Sequence, residues 1–209
     1  MGPPPRGERV GLPARELPPV GWGSRWFLLV IAASLLIAGP VHADRVYLTV
    51  DQALANAFPG DVAVERKVVW ITEAQAAQVE QRAGSPLPRR VVKAYLGRRG
   101  DKVVGYAFVD DVIGKTEPIT YMVTITPDAT VGRLDLLIFR ETHGYEIERA
   151  SWRDRFRGLR LGPGLRVGRE IDKITGATLS CRAITDGVRR LLAIVEVVLA
   201  APPPDAATL

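Results

Sequence analysis

Between Val91 and Phe139 the chain is a succession of apolar runs joined by connections too short to carry a strand back across a sheet. The runs are VVKAYLG, KVVGYAFVDDVIG, ITYMVTIT and VGRLDLLIF, separated by the turn GRRGD, a loop from Lys115 to Pro118 and the turn signal Pro127-Asp128. Parallel neighbours need about a dozen residues or more to return. These runs must therefore pair antiparallel, as at least four strands of one sheet. Such a sheet has an apolar face that some other layer must cover.

Three helices are available to cover it. Thr49-Val-Asp-Gln52 has the spacing of a capping box and predicts a short helix over DQALANAF, ended by Pro59-Gly60. A second box, Thr72-Glu-Ala-Gln75, opens a helix over EAQAAQVEQRA that Gly84 and Pro86 terminate. Near the C-terminus Ile184, Val188, Leu191, Val195 and Leu199 follow helical spacing, so one stripe of that long helix should lie on the sheet. Between the first two helices, DVAVERKVVWIT places Val62, Val64, Val68 and Trp70 on one parity with Arg66 as the exception, which predicts a strand with an exposed face. The expected fold class is α+β, an antiparallel sheet of four or more strands packed by helices.

Length and composition, 209 residues with 47% hydrophobic and 24% charged, suit a single globular domain with tails. The expected organisation is a leader over 1–43 and one domain over 44–200, with 44–88 as an N-terminal elaboration on a core of 89–200. A proline-rich tail without anchors, APPPDAATL, closes the chain and is expected to be disordered. In the leader, Arg25 precedes the apolar run WFLLVIAASLLIAG, and Val41-His42-Ala43 fits a cleavage site before Asp44. Pro40 and the short apolar core favour a signal peptide. An uncleaved anchor is the alternative, since no charge stands between Arg25 and Asp44. Either reading makes the domain extracytoplasmic, because the positive flank lies on the N-terminal side.

Charge and cysteine use exclude several classes. The formal charge of +5 includes an excess of two from the leader, where Arg6, Arg9, Arg15 and Arg25 face Glu8 and Glu16. What is left is too small to argue for a nucleic-acid partner. Cys181 is the one cysteine, so no internal disulfide forms, and there is no CxxCH, no CxxC and no metal-ligand cluster. Beside Ser180 it reads as a small packing residue. His143 is the one histidine beyond the leader and reads as a surface loop residue. From Glu148 to Glu170, ERASWRDRFRGLRLGPGLRVGRE carries seven arginines. Its plain reading is a short solvated helix and a mobile loop; the functional one is a loop that folds over an anion or docks to a partner.

Just before the C-terminal helix stands DKITGATLS, Asp172 to Ser180. Local rules read Asp172, Thr175, Thr178 and Ser180 as caps and turn-formers. The nonamer also resembles the attachment motif of the FMN-binding domain family: Asp, two residues, Ser/Thr-Gly-Ala-Ser/Thr, one residue, Ser/Thr. Asp172, Thr175-Gly176-Ala177-Thr178 and Ser180, with Leu179 between the last two, meet it. Upstream, Glu141-Thr142-His143-Gly144 is similar to the family's Glu-Thr-Pro-Gly, with His143 replacing proline, and Phe156-Arg157-Gly158 is similar to its aromatic-plus-glycine feature.

What the resemblance implies is FMN bound covalently, through a phosphodiester to the last hydroxyl of the motif, Ser180, with Thr178 as the other acceptor. A separate extracytoplasmic flavin transferase using FAD and magnesium would make the bond. Glu141, Thr142 and Gly144 would belong to the same site. A phosphodiester at a helix start would meet free N–H groups and the positive dipole end. With no second redox centre in the chain, the implied role is an extracytoplasmic electron carrier between a membrane redox partner and another carrier. Two alternatives remain from the residues themselves: a module that holds FMN without a bond or senses a redox state, and a docking domain without flavin. GATLSC is not a GxSxG elbow, which argues against a serine hydrolase.

Overall fold

The capping boxes and the alternating runs fold where their chemistry places them. A computed structural model describes residues 44–200, besides the lone Gly2; the expected signal peptide or anchor and the expected tail lie outside the described residues. β1 (Arg45–Val46) is followed by α1 (Val50–Ala57), β2 (Ala63–Trp70) and α2 (Glu73–Ala83). The meander β3 (Val91–Arg99), β4 (Lys102–Ile113), β5 (Pro118–Ile125) and β6 (Val131–Phe139) comes next. Short turns around α3 (Ala150–Arg153) then lead to α4 (Thr178–Ile194), which ends in a π turn, Val195–Leu199. Both boxes close reciprocally, Thr49 with Gln52 and Thr72 with Gln75.

The six strands form one antiparallel sheet in the order β1-β6-β5-β4-β3-β2. α2 and α4 cover one face, where Val69, Leu96, Phe108, Tyr121, Val123 and Leu134 meet Val79, Ile184, Val188 and Leu191 in the main core. α1 covers part of the other face, with Ala53 and Phe58 over Ala107, Met122 and Leu137. The stripe on α4 is therefore the one the helical spacing predicts, with Leu199 partly buried at its end.

The ladder between β3 and β4 runs from Arg99↔Lys102 to Ala94↔Phe108 and stops. Beyond it β3 stays paired to β2 as far as Val91↔Trp70, and β4 to β5 as far as Ile113↔Pro118. The sheet is thus split at one rim, and a groove of about 1090 Å³ opens there against Ala183, Asp186 and Arg190 of α4.

β2 is a strand with an exposed face, as predicted: Val64, Val68 and Trp70 stay exposed, and its buried residue is Val69. α2 covers the face that Val69 enters, and α1 does not extend over the outer strand on the other side. The arginine-rich segment is anchored, not a solvated helix and mobile loop: Trp152, Phe156 and Leu165 are buried. The Trp152 and Phe156 rings meet edge to face at 5.1 Å. Buried Arg189 of α4 donates to the carbonyls of Ala83, Gly162 and Leu165 at 2.8, 2.7 and 3.0 Å, pinning the loop and the end of α2 together. Burial, with Arg166 nearby, lowers the pKa of that guanidinium.

Candidate functional site

The sequence-predicted residues meet at the rim where β4 and β6 end and α4 begins. Glu141, one residue past Arg140 at the close of β6, turns its carboxylate onto the β4–β5 turn. Its Oε1 accepts the backbone N–H groups of Lys115, Thr116 at 2.7 Å and Glu117 at 3.0 Å, and its Oε2 accepts the Thr116 hydroxyl at 3.0 Å. Burial pushes this carboxyl up, but the donors outweigh it and hold it below the usual carboxylate range. A side chain is excluded at Gly114, where a Cβ would lie 2.6 Å from Glu141 Oε1 and 3.1 Å from Ser180 Oγ. At Gly144, in the left-handed region with φ of 83°, it would lie 3.3 Å from the same Ser180 oxygen. Close approach of three chain segments explains both glycines.

The loop from Asp172 to Ala177 runs over this cluster. Trp152 Nε1 donates to the Asp172 carbonyl at 3.0 Å, and the Asp172 carboxylate pairs with Arg155 at 2.9 Å. The Arg155 hydrogen bond and charge lower the pKa of that exposed carboxylate. Asp172 does not hold its own turn, as the local rules suggested; it ties the loop to the anchored arginine-rich segment. Gly176, with φ of 89°, turns the chain into α4, and Thr175 is exposed.

Nor do Thr178 and Ser180 cap the helix. Ala177 stands at the N-cap without a side-chain hydrogen bond, and Thr178, the first residue of α4, donates its hydroxyl to the Ile174 carbonyl at 3.2 Å. The opening N–H groups of a helix have no intrahelical partner; here no cap side chain takes them. Ser180 is 3% exposed, Thr178 is half-buried and Leu179 points outward at 51% exposure. Thr142 and His143 are exposed and share a 2.7 Å contact between hydroxyl and ring Nδ1. Cys181 is buried, and burial pushes its thiol up, consistent with packing and not reactivity.

Several residues of the site were not legible beforehand. Gly114 was one of twenty glycines, and only the fold brings it against Ser180. Glu146 has a buried Oε2 without a hydrogen-bond partner, and its Oε1 lies within 3.9 Å of where a Gly176 Cβ would be. Trp152 stood in a charge run, where an isolated aromatic among arginines was the one signal.

These features define an α+β domain with an uncapped helix start, hydroxyls on its first turn, and glycines that let neighbouring backbone approach. Residues 114–193 match the FMN-binding domain. Two curated relatives are similar over part of their length. One is a subunit of the Na(+)-translocating ferredoxin:NAD(+) oxidoreductase complex of Acetobacterium woodii, 23% identical over 129 residues, or 57% of this chain and 62% of that protein. The other is a subunit of the ion-translocating oxidoreductase complex of Stutzerimonas stutzeri, 27% identical over 113 residues, or 49% and 50%. The matches thus span half to about three-fifths of these relatives. No described helix is long and apolar enough to cross a membrane.

Proposed function

We propose that this domain is an extracytoplasmic electron carrier that holds FMN covalently at the start of α4 and works as a subunit of a membrane oxidoreductase complex. The observation that carries the reading is the uncapped N-terminus of α4, with Thr178 and Ser180 on its first turn, inside the segment that matches the FMN-binding domain. Free N–H groups and the dipole end there suit a phosphodiester, which keeps one negative charge. Gly176 leaves backbone open beside it. The flavin would supply one- and two-electron chemistry. The protein's part is to fix the tether and shape the ring's surroundings. The relatives' names describe subunits of ion-translocating complexes, and a membrane redox partner follows by similarity.

Of the two acceptors, burial favours Thr178 over Ser180. The acceptor hydroxyl must reach FAD and displace AMP from it, giving up its proton and forming the new phosphorus–oxygen bond as the pyrophosphate bond breaks. Ser180 Oγ is enclosed by Gly114 and Gly144, whereas Thr178 is half-buried beside exposed Leu179. The test is export with a flavin transferase, FAD and magnesium, followed by flavin fluorescence on a denaturing gel. Loss of the band in Thr178→Ala with retention in Ser180→Ala is expected; the opposite pattern assigns the bond to Ser180. A colourless band from the unaltered chain refutes covalent attachment, and flavin that leaves on denaturation selects a non-covalent module.

A further inference from the structure

Nine large apolar side chains stay exposed among the described residues, and they are not scattered. Val64 and Val68 lie within β2; the other seven sit where β1, β3 and α4 begin and β2, β4 and β6 end. Trp70 is 74% exposed, Val46 and Ile113 62%, and Val91 39%, with Tyr47, Tyr145 and Leu179 around them. These ends share one rim, on the two lips of the groove: Trp70 pairs with Val91 on one lip, and Ile113 with Pro118 and Arg45 with Phe139 on the other side. The opposite rim carries the charged Arg98, Arg99, Asp101, Lys102 and Asp128, and of the nine only Val64, second in β2, stands near it.

Cations accompany the apolar side chains. Arg89, Lys93 and Lys115 are exposed on the same rim without a carboxylate partner among the described residues, against Asp111 and Glu117 as exposed carboxylates without a cationic partner there. An exposed Trp with aliphatic neighbours and long cationic side chains is the set that settles at the boundary between lipid headgroups and hydrocarbon. The domain also begins on this rim, at Asp44, five residues after the apolar run ends at Gly39. Five extended residues span at most about 17 Å, so a retained run would keep this rim near a bilayer.

We infer that the rim formed by Trp70, Val91, Ile113 and Val46 is a lipid-docking surface that rests on a phospholipid bilayer carrying anionic headgroups. This inference does not require bound flavin. Because α4 also starts here, docking turns the Asp172–Ser180 loop toward the membrane.

The test uses the exported protein as its host makes it, with Trp22 and Trp26 replaced by Phe so that Trp70 and buried Trp152 report. Phosphatidylcholine vesicles containing phosphatidylglycerol should shield Trp70 from iodide, and the same lipids brominated near the headgroup should quench it. Trp70→Phe should abolish both effects, and Ile113→Asp with Val91→Asp should lower the apparent vesicle affinity of Trp70 by about tenfold with an unchanged far-ultraviolet spectrum. Trp70 emission that ignores both vesicle types overturns the inference. Shielding by native membranes but not by pure lipid assigns the rim to a protein partner and overturns it equally.

Discussion

Glu141 accepts the Thr116 backbone N–H at 2.7 Å and the Thr116 hydroxyl at 3.0 Å, so the end of β6 is clamped to the β4–β5 turn by one carboxylate. These donors, with those of Lys115 and Glu117, prefer the ionised form and lower the pKa against the opposing effect of burial. A depressed carboxylate stabilises the fold above its unfolded pKa of about 4.3 and loses that contribution as pH falls through the folded value. Melting temperature should therefore drop below a pH of about 4.3, and Glu141→Gln should melt lower at neutral pH. The difference between the two proteins should shrink toward a pH of about 2; a constant difference across that range would exclude the linkage.

Helix α4 lies so close to the sheet at Gly187 that a Cβ there would clash with the Tyr121 hydroxyl and come within 3.1 Å of Val112. That hydroxyl donates to Asp110 Oδ2 at 3.0 Å, and both groups are pushed up in pKa chiefly by burial. In an open helix Gly→Ala would stabilise by about 1 kcal/mol. Here overpacking should reverse the sign, to a net loss of about 1–3 kcal/mol. Adding Tyr121→Phe removes the clashing oxygen, so the double variant should regain part of the loss in a denaturant titration. Full additivity of the two losses would contradict the close approach.

Arg189 holds three carbonyls from two distant segments and has no carboxylate partner among the described residues. Arg189→Met keeps much of the volume and leaves those acceptors buried without donors. A loss of about 2–4 kcal/mol is expected. Because the arginine-rich loop hangs on these bonds, hydrogen exchange at its hydrogen-bonded amides, those of Arg166, Gly168, Arg169, Glu170 and Ile171, should accelerate more than in β5. Uniform acceleration across the domain would mean that the bonds do not act locally.

These sites show what was legible in the chain. Capping boxes, strand runs and the α4 stripe depend on neighbours a few residues apart, and they fold as their spacing predicts. That Val69 is the residue β2 buries was not readable, because it depends on which helix reaches an outer strand. Likewise the seven arginines suggested a solvated segment, while Trp152, Phe156 and Leu165 find their partners only across the sheet and α4. The nonamer marked the candidate loop, yet the uncapped start at Ala177 and the enclosure of Ser180 come from tertiary packing.

Asp172 separates a structural role from one in attachment. Its carboxylate touches Arg155 on the exposed surface, with both side chains more than half exposed, and exposed pairs contribute little to stability. Asp172→Ala and Arg155→Ala should each leave the melting temperature almost unchanged. If the carboxylate acts only by tying the loop to Arg155, both variants should lower covalent flavin loading equally. A part in presenting the loop to a transferase predicts instead that Asp172→Ala loses loading while Arg155→Ala largely keeps it. Initial rates of flavin incorporation for the two variants, measured side by side with Thr178→Ala as the zero, decide between these outcomes; equal rates would reduce Asp172 to a surface tether.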